Sequence, residues 1–457
     1  LGGVYDDFLF LIFFYFRPIH NALRRIKMRL VRVVAVLFMM RVVTFAAAKE
    51  VTFNKDVLPI LQQNCQVCHR PGEIGPMPFL TYEGTRPWAA AIRKAVLTRK
   101  MPPWFADTHV GHFANERTLG DADIKTLVSW ADGGAPEGNP KDKPAPKQWT
   151  DGWNIKPDVI FEMPRALAIP EQGALDYIYI LLPAKFPQDT WILDGEIQPG
   201  NRSAVHHASV IVRPPGSRWL KDAKVGEPYI PPKQGPVAAE NFNAPQEWLL
   251  GYVPGMAPQR YFSPLKGAGR MIPAGSDIFF EIHYTGTGAK IEDKTRVGFV
   301  LAKEPPAKQL LNLAAYDTSF EIPPNAENYH GSTWAILNEP VTLVYMQPHM
   351  HLRGTSMEIK ATYPDGRSEM LVRVPRYNFQ WQVIYMLEKP IKLPKGTRID
   401  VYATWDNSAN NKSNPDPSST VRIGQQSWDE MLVALLGVTV DRGVDPGRIL
   451  TLWWNIH

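Results

Sequence analysis

The residues of this chain best suited to chemistry are two cysteines and a group of histidines. Cys65 and Cys68 are the only cysteines among 457 residues, and His69 follows at once, giving Cys65-Gln66-Val67-Cys68-His69. That spacing is the attachment sequence for one covalent c-type haem: two thioether bonds hold the porphyrin edge while the adjacent imidazole reaches iron from one face. The competing readings are a disulfide and a zinc site recruiting His109 and His112, but Cys-x2-Cys with His-x2-His roughly forty residues later is not a usual zinc spacing. The sixth iron ligand is assigned to Met101, which Arg99-Lys100-Met101-Pro102-Pro103-Trp104 presents on a proline-stiffened turn. Met77, in Gly75-Pro76-Met77-Pro78, and His109 or His112 are the alternatives.

The other histidines gather from residue 206 onward, as His206-His207, His283 and His349-Met350-His351. His349 and His351 are spaced i, i+2, so on a strand both imidazoles face the same way and can share one metal. His206 and His207 would point to opposite faces of a regular strand, so joint ligation demands a bulge or a strand end.

Stepping outward from these residues, the segment around the cysteines reads as helical. Asp56 caps a helix that tolerates Pro59 in its first turn and whose apolar residues Val57, Ile60 and Leu61 lead to Cys65. A second helix from about Thr85–Pro87 places Trp88, Ile92 and Val96 on one side and stops before Pro102, and a third starts at Asp121 and ends at Gly133-Gly134. The span 49–140 resembles class I cytochrome c domains, whose role is electron transfer. A Pro/Lys-rich linker over 141–155 follows.

Beyond it, runs such as Tyr177–Leu181, Ser209–Val212, Asp277–Tyr284, Val341–Met346, Met357–Tyr363 and Ile399–Trp405 are β-branched and aromatic, with Gly, Pro, Asn and Asp between them. This is a β-sandwich pattern, and about 300 residues of it exceed one sandwich. The expected fold is therefore multidomain: a small all-α cytochrome c domain followed by two all-β, jelly-roll-like sandwiches at 156–309 and 310–457.

The order His-His, a single His in Phe280-Glu281-Ile282-His283-Tyr284, His-x-His, then Met431 in Ser427-Trp428-Asp429-Glu430-Met431 resembles the copper type II, ascorbate-dependent monooxygenases, the family of dopamine β-monooxygenase and peptidylglycine α-hydroxylating monooxygenase. The resemblance covers 156–457. It implies two coppers: an electron-transfer copper on His206, His207 and His283, and a catalytic, oxygen-binding copper on His349, His351 and Met431. The donor types agree, since imidazole suits copper in either oxidation state and a thioether favours Cu(I). Two departures stand out. Gln347 and Leu435 occupy the positions where the amidating enzymes carry an Arg and a Tyr that hold a peptide, and Glu281 replaces a Gln.

Together these readings imply a haem- and copper-dependent monooxygenase that takes electrons from an external donor, a small reductant or a redox protein, and uses O2 to hydroxylate a C–H bond of a small molecule. The non-enzymatic alternative is a copper- and redox-binding electron-transfer protein. Charge excludes a nucleic-acid partner. The formal charge of +5 is carried wholly by residues 1–48, which hold seven Arg/Lys against Asp6 and Asp7, so the chain from Lys49 on is formally neutral. Within that upstream segment Met28-Arg29-Leu30-Val31-Arg32, an apolar stretch and Ala46-Ala47-Ala48 read as a signal peptide with its start at Met28, giving a periplasmic or secreted protein. Membrane association is expected only through an uncleaved N-terminus.

Overall fold

The structure, a computed structural model, describes residues 50–150, 152–173, 175–183, 186–232, 247–255, 265 and 267–453. The signal segment expected over 1–48 lies outside the described residues. Thr52–His457 form one compact unit. It is mostly β-sheet, with few and short helices.

A π-helical turn, Phe53–Val57, runs into α1 (Leu58–Asn64). Asp56, expected as the cap, sits inside the first turn instead: its carboxylate accepts from the Thr52 N–H at 2.9 Å, so Thr52 is the residue flanking the helix. After α2 (Tyr82–Thr85) and a 3-10 turn comes α3 (Ala89–Leu97), which buries Ile92 and Val96. Trp88 does not join them and is 41% exposed, because it ends the 3-10 turn with non-helical backbone (φ −97, ψ 3) before the helix begins. The last helix, α4 (Asp121–Asp132), buries Ile124, Leu127 and Trp130, and stops at Gly133 and Gly134, the latter with φ +85. Phe53 joins α1 to α4 through the Trp130 ring, 5.9 Å away.

The β region is built on one long sheet of eight strands. In spatial order these are β1 (Val159–Glu162), β11 (Arg296–Leu301), β4 (Thr190–Gln198), β8 (Ala268–Ile272), β12 (Lys308–Asp317), β21 (Leu432–Asp441), β15 (Val341–His349) and β18 (Tyr385–Leu393). Its first half is covered by a five-stranded sheet, β6 (Pro228–Tyr229), β3 (Ile178–Leu181), β9 (Asp277–Tyr284), β5 (Val205–Arg213) and β7 (Glu247–Tyr252). Its second half is covered by another, β17 (Ser368–Val374), β16 (Gly354–Thr362), β19 (Arg398–Trp405), β14 (Tyr329–Leu337) and β22 (Leu450–Leu452). Two small pairs, β2 (Leu167–Ile169) with β10 (Ile291–Asp293) and β13 (Glu321–Ile322) with β20 (Val421–Arg422), complete the described strands. The result is two sandwich-like layers fused edge to edge, and the seam is a parallel contact of β8 with β12 at Ala268–Lys308 and Gly269–Gln309. Both cysteines are free, so packing rather than disulfides holds these layers together.

Each half has its own core. Ile180, Ala208, Val210, Phe280 and Phe299 fill the first; Leu343, Met357, Ile359, Val401 and Leu436 fill the second. The second also takes side chains from the end of the helical segment. Trp104 and Phe113 pack on Tyr385 with ring centroids at 5.1 and 5.4 Å, and Asp107 N–H and Ala114 N–H donate to Arg373 O and Met386 O, both at 2.8 Å. The Pro/Lys-rich stretch after α4 lies back along the helical segment: Gln62 Nε2 donates to Ala145 O at 2.9 Å, and Arg70 stacks over Trp149 at 3.9 Å. Among the described residues no helix is long and apolar enough to cross a membrane, which says nothing about membrane-crossing strands.

Candidate metal centres

Alternation along β3, β5 and β9 decides which side chains face the first core and which face away. Ile178, Ala208, Val210, Phe280 and Ile282 point into the core; Tyr177, Tyr179, His207, Ser209, Glu281 and His283 lie on the opposite side. His207 and His283 are direct partners across β5 and β9. The β5 register shifts between Val205 and His207, so His206 falls at an irregularity. That break lets adjacent histidines converge: their ring centroids are 4.4 Å apart, and His283 lies 5.6 Å from His206 and 5.2 Å from His207. One ligating atom from each of the three lies within 4.8 Å of the others.

All three are buried, and among the described residues His206 Nδ1, His283 Nδ1 and both ring nitrogens of His207 make no well-formed hydrogen bond, the His207 ring meeting only the Phe379 backbone weakly. Burial pushes the His206 imidazole down to about 3 and that of His283 to about 4, while His207 is held well below the usual range by burial and then by its histidine neighbours. Neutral, desolvated imidazoles with idle lone pairs are costly to bury unless something accepts those lone pairs. A bound metal ion does so, and three imidazoles form a donor set suited to copper.

The second group sits across a cavity of about 420 Å3 that touches His207 on one wall and His349, His351 and Met431 on the other. His349 is the last residue of β15, and His351 lies past the strand end, so the pair does not share a strand as the spacing suggested. Their rings are nonetheless 5.2 Å apart and perpendicular. Met350 between them is pinned by Tyr377, whose hydroxyl donates to Met350 O at 2.6 Å and accepts from Met350 N–H at 3.1 Å. Both Nδ1 atoms are engaged, His349 with Gln382 Oε1 at 2.9 Å and His351 with Asp429 O at 3.2 Å. As donors to oxygen these nitrogens carry the proton, which leaves each Nε2 as the lone-pair donor. Burial holds His349 down at about 4 and His351 well below the usual range.

Glu430 ties this group together. It is fully buried and accepts from His351 N–H at 2.8 Å, Arg353 N–H at 2.6 Å, Trp405 Nε1 at 3.0 Å and Met431 N–H at 3.2 Å. Burial pushes its carboxyl up to about 7 despite these donors. Thus one side chain fixes the backbone at both His351 and Met431. No spacing rule singles out Glu430, Gln382, Tyr377 or Tyr177; the only sequence signal is that Glu430 adjoins Met431.

Around the cysteines, Cys68 N–H and His69 N–H both donate to Cys65 O, at 3.1 and 2.9 Å, closing a tight turn after α1. His69 Nδ1 lies 3.1 Å from Met77 O, which frees Nε2, and its ring stacks on Phe79 at 4.4 Å. Burial pushes the Cys65 thiol up to about 12 and Cys68 to about 11, so both are neutral in the metal-free chain. Met101 is half-buried just before the Trp104 anchor. Met77 meets His69 through its backbone carbonyl. His109 is exposed and pairs with Asp107 at 3.0 Å, and His112 lends its carbonyl to Glu388 N–H at 2.9 Å. Cys68 Sγ packs against Gly255, just beyond β7, where a Cβ would stand 2.3 Å from the sulfur; φ there is +70, so the close approach and the backbone both require glycine. Glu73 Oε1 bridges Arg70 at 2.6 Å and Arg202 at 3.2 Å, the latter in the turn that leads into β5.

Residues 307–436 match the family described as copper type II ascorbate-dependent monooxygenase, C-terminal domain. The span contains His349, His351 and Met431, and supports a copper monooxygenase-like C-terminal region. No curated protein matches the chain. Among solved structures, one of the infectious bursal disease virus Gx strain is 11% identical, covering 67% of this chain and 78% of that one, with a TM-score of 0.18. One of the Gt strain is 10% identical, covering 68% and 78%, with a TM-score of 0.17. Similarity at that level carries no argument.

Proposed function

We propose that this chain is an exported copper-dependent monooxygenase that hydroxylates a C–H bond of a small organic molecule, with a c-type haem on the same chain passing electrons to the copper sites. The observation that carries the reading is a cavity bordered by His207, one of three clustered buried imidazoles, and by His349, His351 and Met431. Copper bound at these residues would supply one-electron redox chemistry and O2 activation.

The chain's own residues then have distinct tasks. His206, His207 and His283 hold the electron-accepting site, where identical neutral donors serve both oxidation states. Gln382, Asp429 O and Glu430 set the ring orientations of His349 and His351, and the Met431 thioether favours Cu(I). A cavity of about 420 Å3 is in the range that encloses a small ligand. Gln347 and Leu435 line it and neither can pair with a substrate carboxylate, which argues against a peptide with a free C-terminus.

For the haem, Cys65 and Cys68 provide the thioether positions and His69 Nε2 the proximal ligand, with Nδ1 oriented by Met77 O; Met101 is the proposed sixth ligand. Leu80 and Trp88 are exposed apolar side chains in this same segment, available to cover a porphyrin face. The route to copper is short in chain terms: Cys68 touches Gly255, three residues past Tyr252, and Tyr252 pairs with Ala208, the neighbour of His207. A small enediol reductant such as ascorbate, or a redox protein, would reduce the haem.

The deciding experiment is metal stoichiometry on protein made in a host that matures c-type cytochromes and then loaded with copper. Two coppers per haem iron are expected. Copper without haem removes the relay and leaves the monooxygenase; haem without copper leaves an electron carrier on a β scaffold and overturns the proposal.

A further inference from the structure

A single turn between β17 and β18 reaches every imidazole of both proposed copper sites. From this turn the Phe379 ring lies 5.8 Å from His207, 5.7 Å from His283 and 5.7 Å from His351. The Trp381 ring lies 6.4 Å from His206, and Gln382 Oε1 lies 2.9 Å from His349 Nδ1. The other end of the Gln382 amide turns back toward the first site: Nε2 donates to the Tyr177 hydroxyl at 3.0 Å, and the Tyr177 ring lies 5.2 Å from His283 and 6.4 Å from His207. The turn is itself held, because Asn378 Oδ1 accepts from Gln380 N–H at 2.9 Å and Gln347 Nε2 donates to Gln382 O at 3.2 Å.

We infer that residues 379–382, with Tyr177, couple copper binding at the two sites, so that filling the three-histidine site raises copper affinity at the His349 site. The inference rests on the copper reading above. The physical basis is the contrast in how the imidazoles are held. Among the described residues the Nδ1 atoms of His206 and His283 have no hydrogen-bond partner and the His207 ring meets only the Phe379 backbone, so in the metal-free chain these rings are held mainly by packing. Capturing a metal fixes His207 and His283 in one orientation, and the Phe379 and Tyr177 rings lying against them settle accordingly. Tyr177 then holds the amide of Gln382, and Gln382 holds the Nδ1–H tautomer of His349 with Nε2 free. Ordering already completed by the first ion need not be repeated for the second. Linkage makes the effect reciprocal.

The test uses Cu(I) alone, titrated from a chelator-buffered pool into the full chain, with the electron paramagnetic resonance signature of each site recorded after oxidation. Emptying the three-histidine site by His206→Ala should weaken the second site about tenfold relative to the wild type, within the range usual for coupled sites. Tyr177→Phe keeps the ring but loses the hydroxyl; in it the second-site affinity should no longer depend on the first. Gln382→Met should abolish the dependence and weaken the second site by about 10–100-fold, as loss of a ligand-orienting partner usually does. Gln382→Glu should restore coupling, because a carboxylate can accept from both His349 Nδ1–H and the Tyr177 O–H, a rescue that a merely misfolded variant would not show. Equal second-site affinity in the wild type and in His206→Ala overturns the inference. A wild-type chain whose second site takes up no copper overturns the copper reading before any variant is compared.

Discussion

The three-histidine cluster, through His207, and the His349–His351 group border the same cavity, yet they are held by opposite means. In the first, strand register brings His207 opposite His283, a bulge turns His206 toward them, and among the described residues four ring nitrogens make no well-formed hydrogen bond. In the second, both Nδ1 atoms, the Met350 backbone and the backbone at His351 and Met431 are all hydrogen-bonded before any metal arrives. The first site would thus be completed by an ion, whereas the second is preorganised by protein. That fits their proposed tasks: an electron-accepting site needs only to keep its donors in both oxidation states, while a site that meets O2 and substrate needs fixed geometry.

The largest test of this contrast is removal of one donor from each site. His283→Ala should leave one copper per chain, the remaining ion at the His349 site, and lower hydroxylation by roughly 1,000-fold or more. Met431→Ile should keep both ions at saturating copper but weaken Cu(I) binding at the second site alone. Copper content measured beside turnover distinguishes them; loss of both ions in His283→Ala would mean that the clusters do not act as separate sites.

Next in size is the buried carboxylate. Glu430→Ala strands four N–H donors in an apolar interior and should cost roughly 3–5 kcal/mol in denaturant unfolding. Glu281, on the first wall, accepts from the Tyr179 hydroxyl at 2.7 Å and is itself pushed toward the neutral form by burial, so Glu281→Gln should cost about 1 kcal/mol or less. If the two changes are equally costly, the second site is no more preorganised than the first.

Acid sensitivity follows from the same burial. In the metal-free chain, His206 is held at about 3 and His283 and His349 at about 4, against about 6.5 when unfolded. Between about pH 4 and pH 6.5 the unfolded chain therefore binds more protons, and stability falls as pH falls through that window by up to about 1.4 kcal/mol per imidazole per pH unit. Above about pH 6.5 these groups contribute no further slope. Copper loading should move the loss to lower pH, since protons must then compete with the metal. Thermal melts at a series of pH values, with and without copper, check both the direction and the displacement.

Legibility from sequence divides along the same line as the two sites. Residue type and spacing were enough to single out His206, His207 and His283, which the fold brings together, and the strand Asp277–Tyr284 follows directly from its β-branched and aromatic run. The requirement for a break beside His206 was also readable, because adjacent residues on a regular strand face opposite ways, and the register shift lies there. What spacing could not supply were contacts between distant segments. Gln382 and Tyr177 are separated by 205 positions and Glu430 and His351 by 79, and a lone Gln, Tyr or Glu carries no periodic signal. The Trp104–Phe113 segment was hidden for another reason: its apolar residues looked like part of a helical module, but they fill the core of the second sandwich.

The smallest expected effect concerns how the helical segment meets the first site. Glu73 pairs with both Arg202 and Arg70, so Arg202→Gln leaves the carboxylate with its closer Arg70 partner and should scarcely alter stability. Gly255→Ala acts differently, because a Cβ at this position collides with Cys68 Sγ and strains a backbone with φ +70. If electrons cross from the haem segment through this contact, anaerobic stopped-flow should show copper reduction slowed about tenfold in Gly255→Ala, equivalent to about 1.4 kcal/mol in the barrier, with haem and copper contents unchanged. Arg202→Gln should leave the rate within about twofold. Equal rates in wild type and Gly255→Ala, with both metals present, would place the electron path elsewhere and leave the contrast between the copper sites intact.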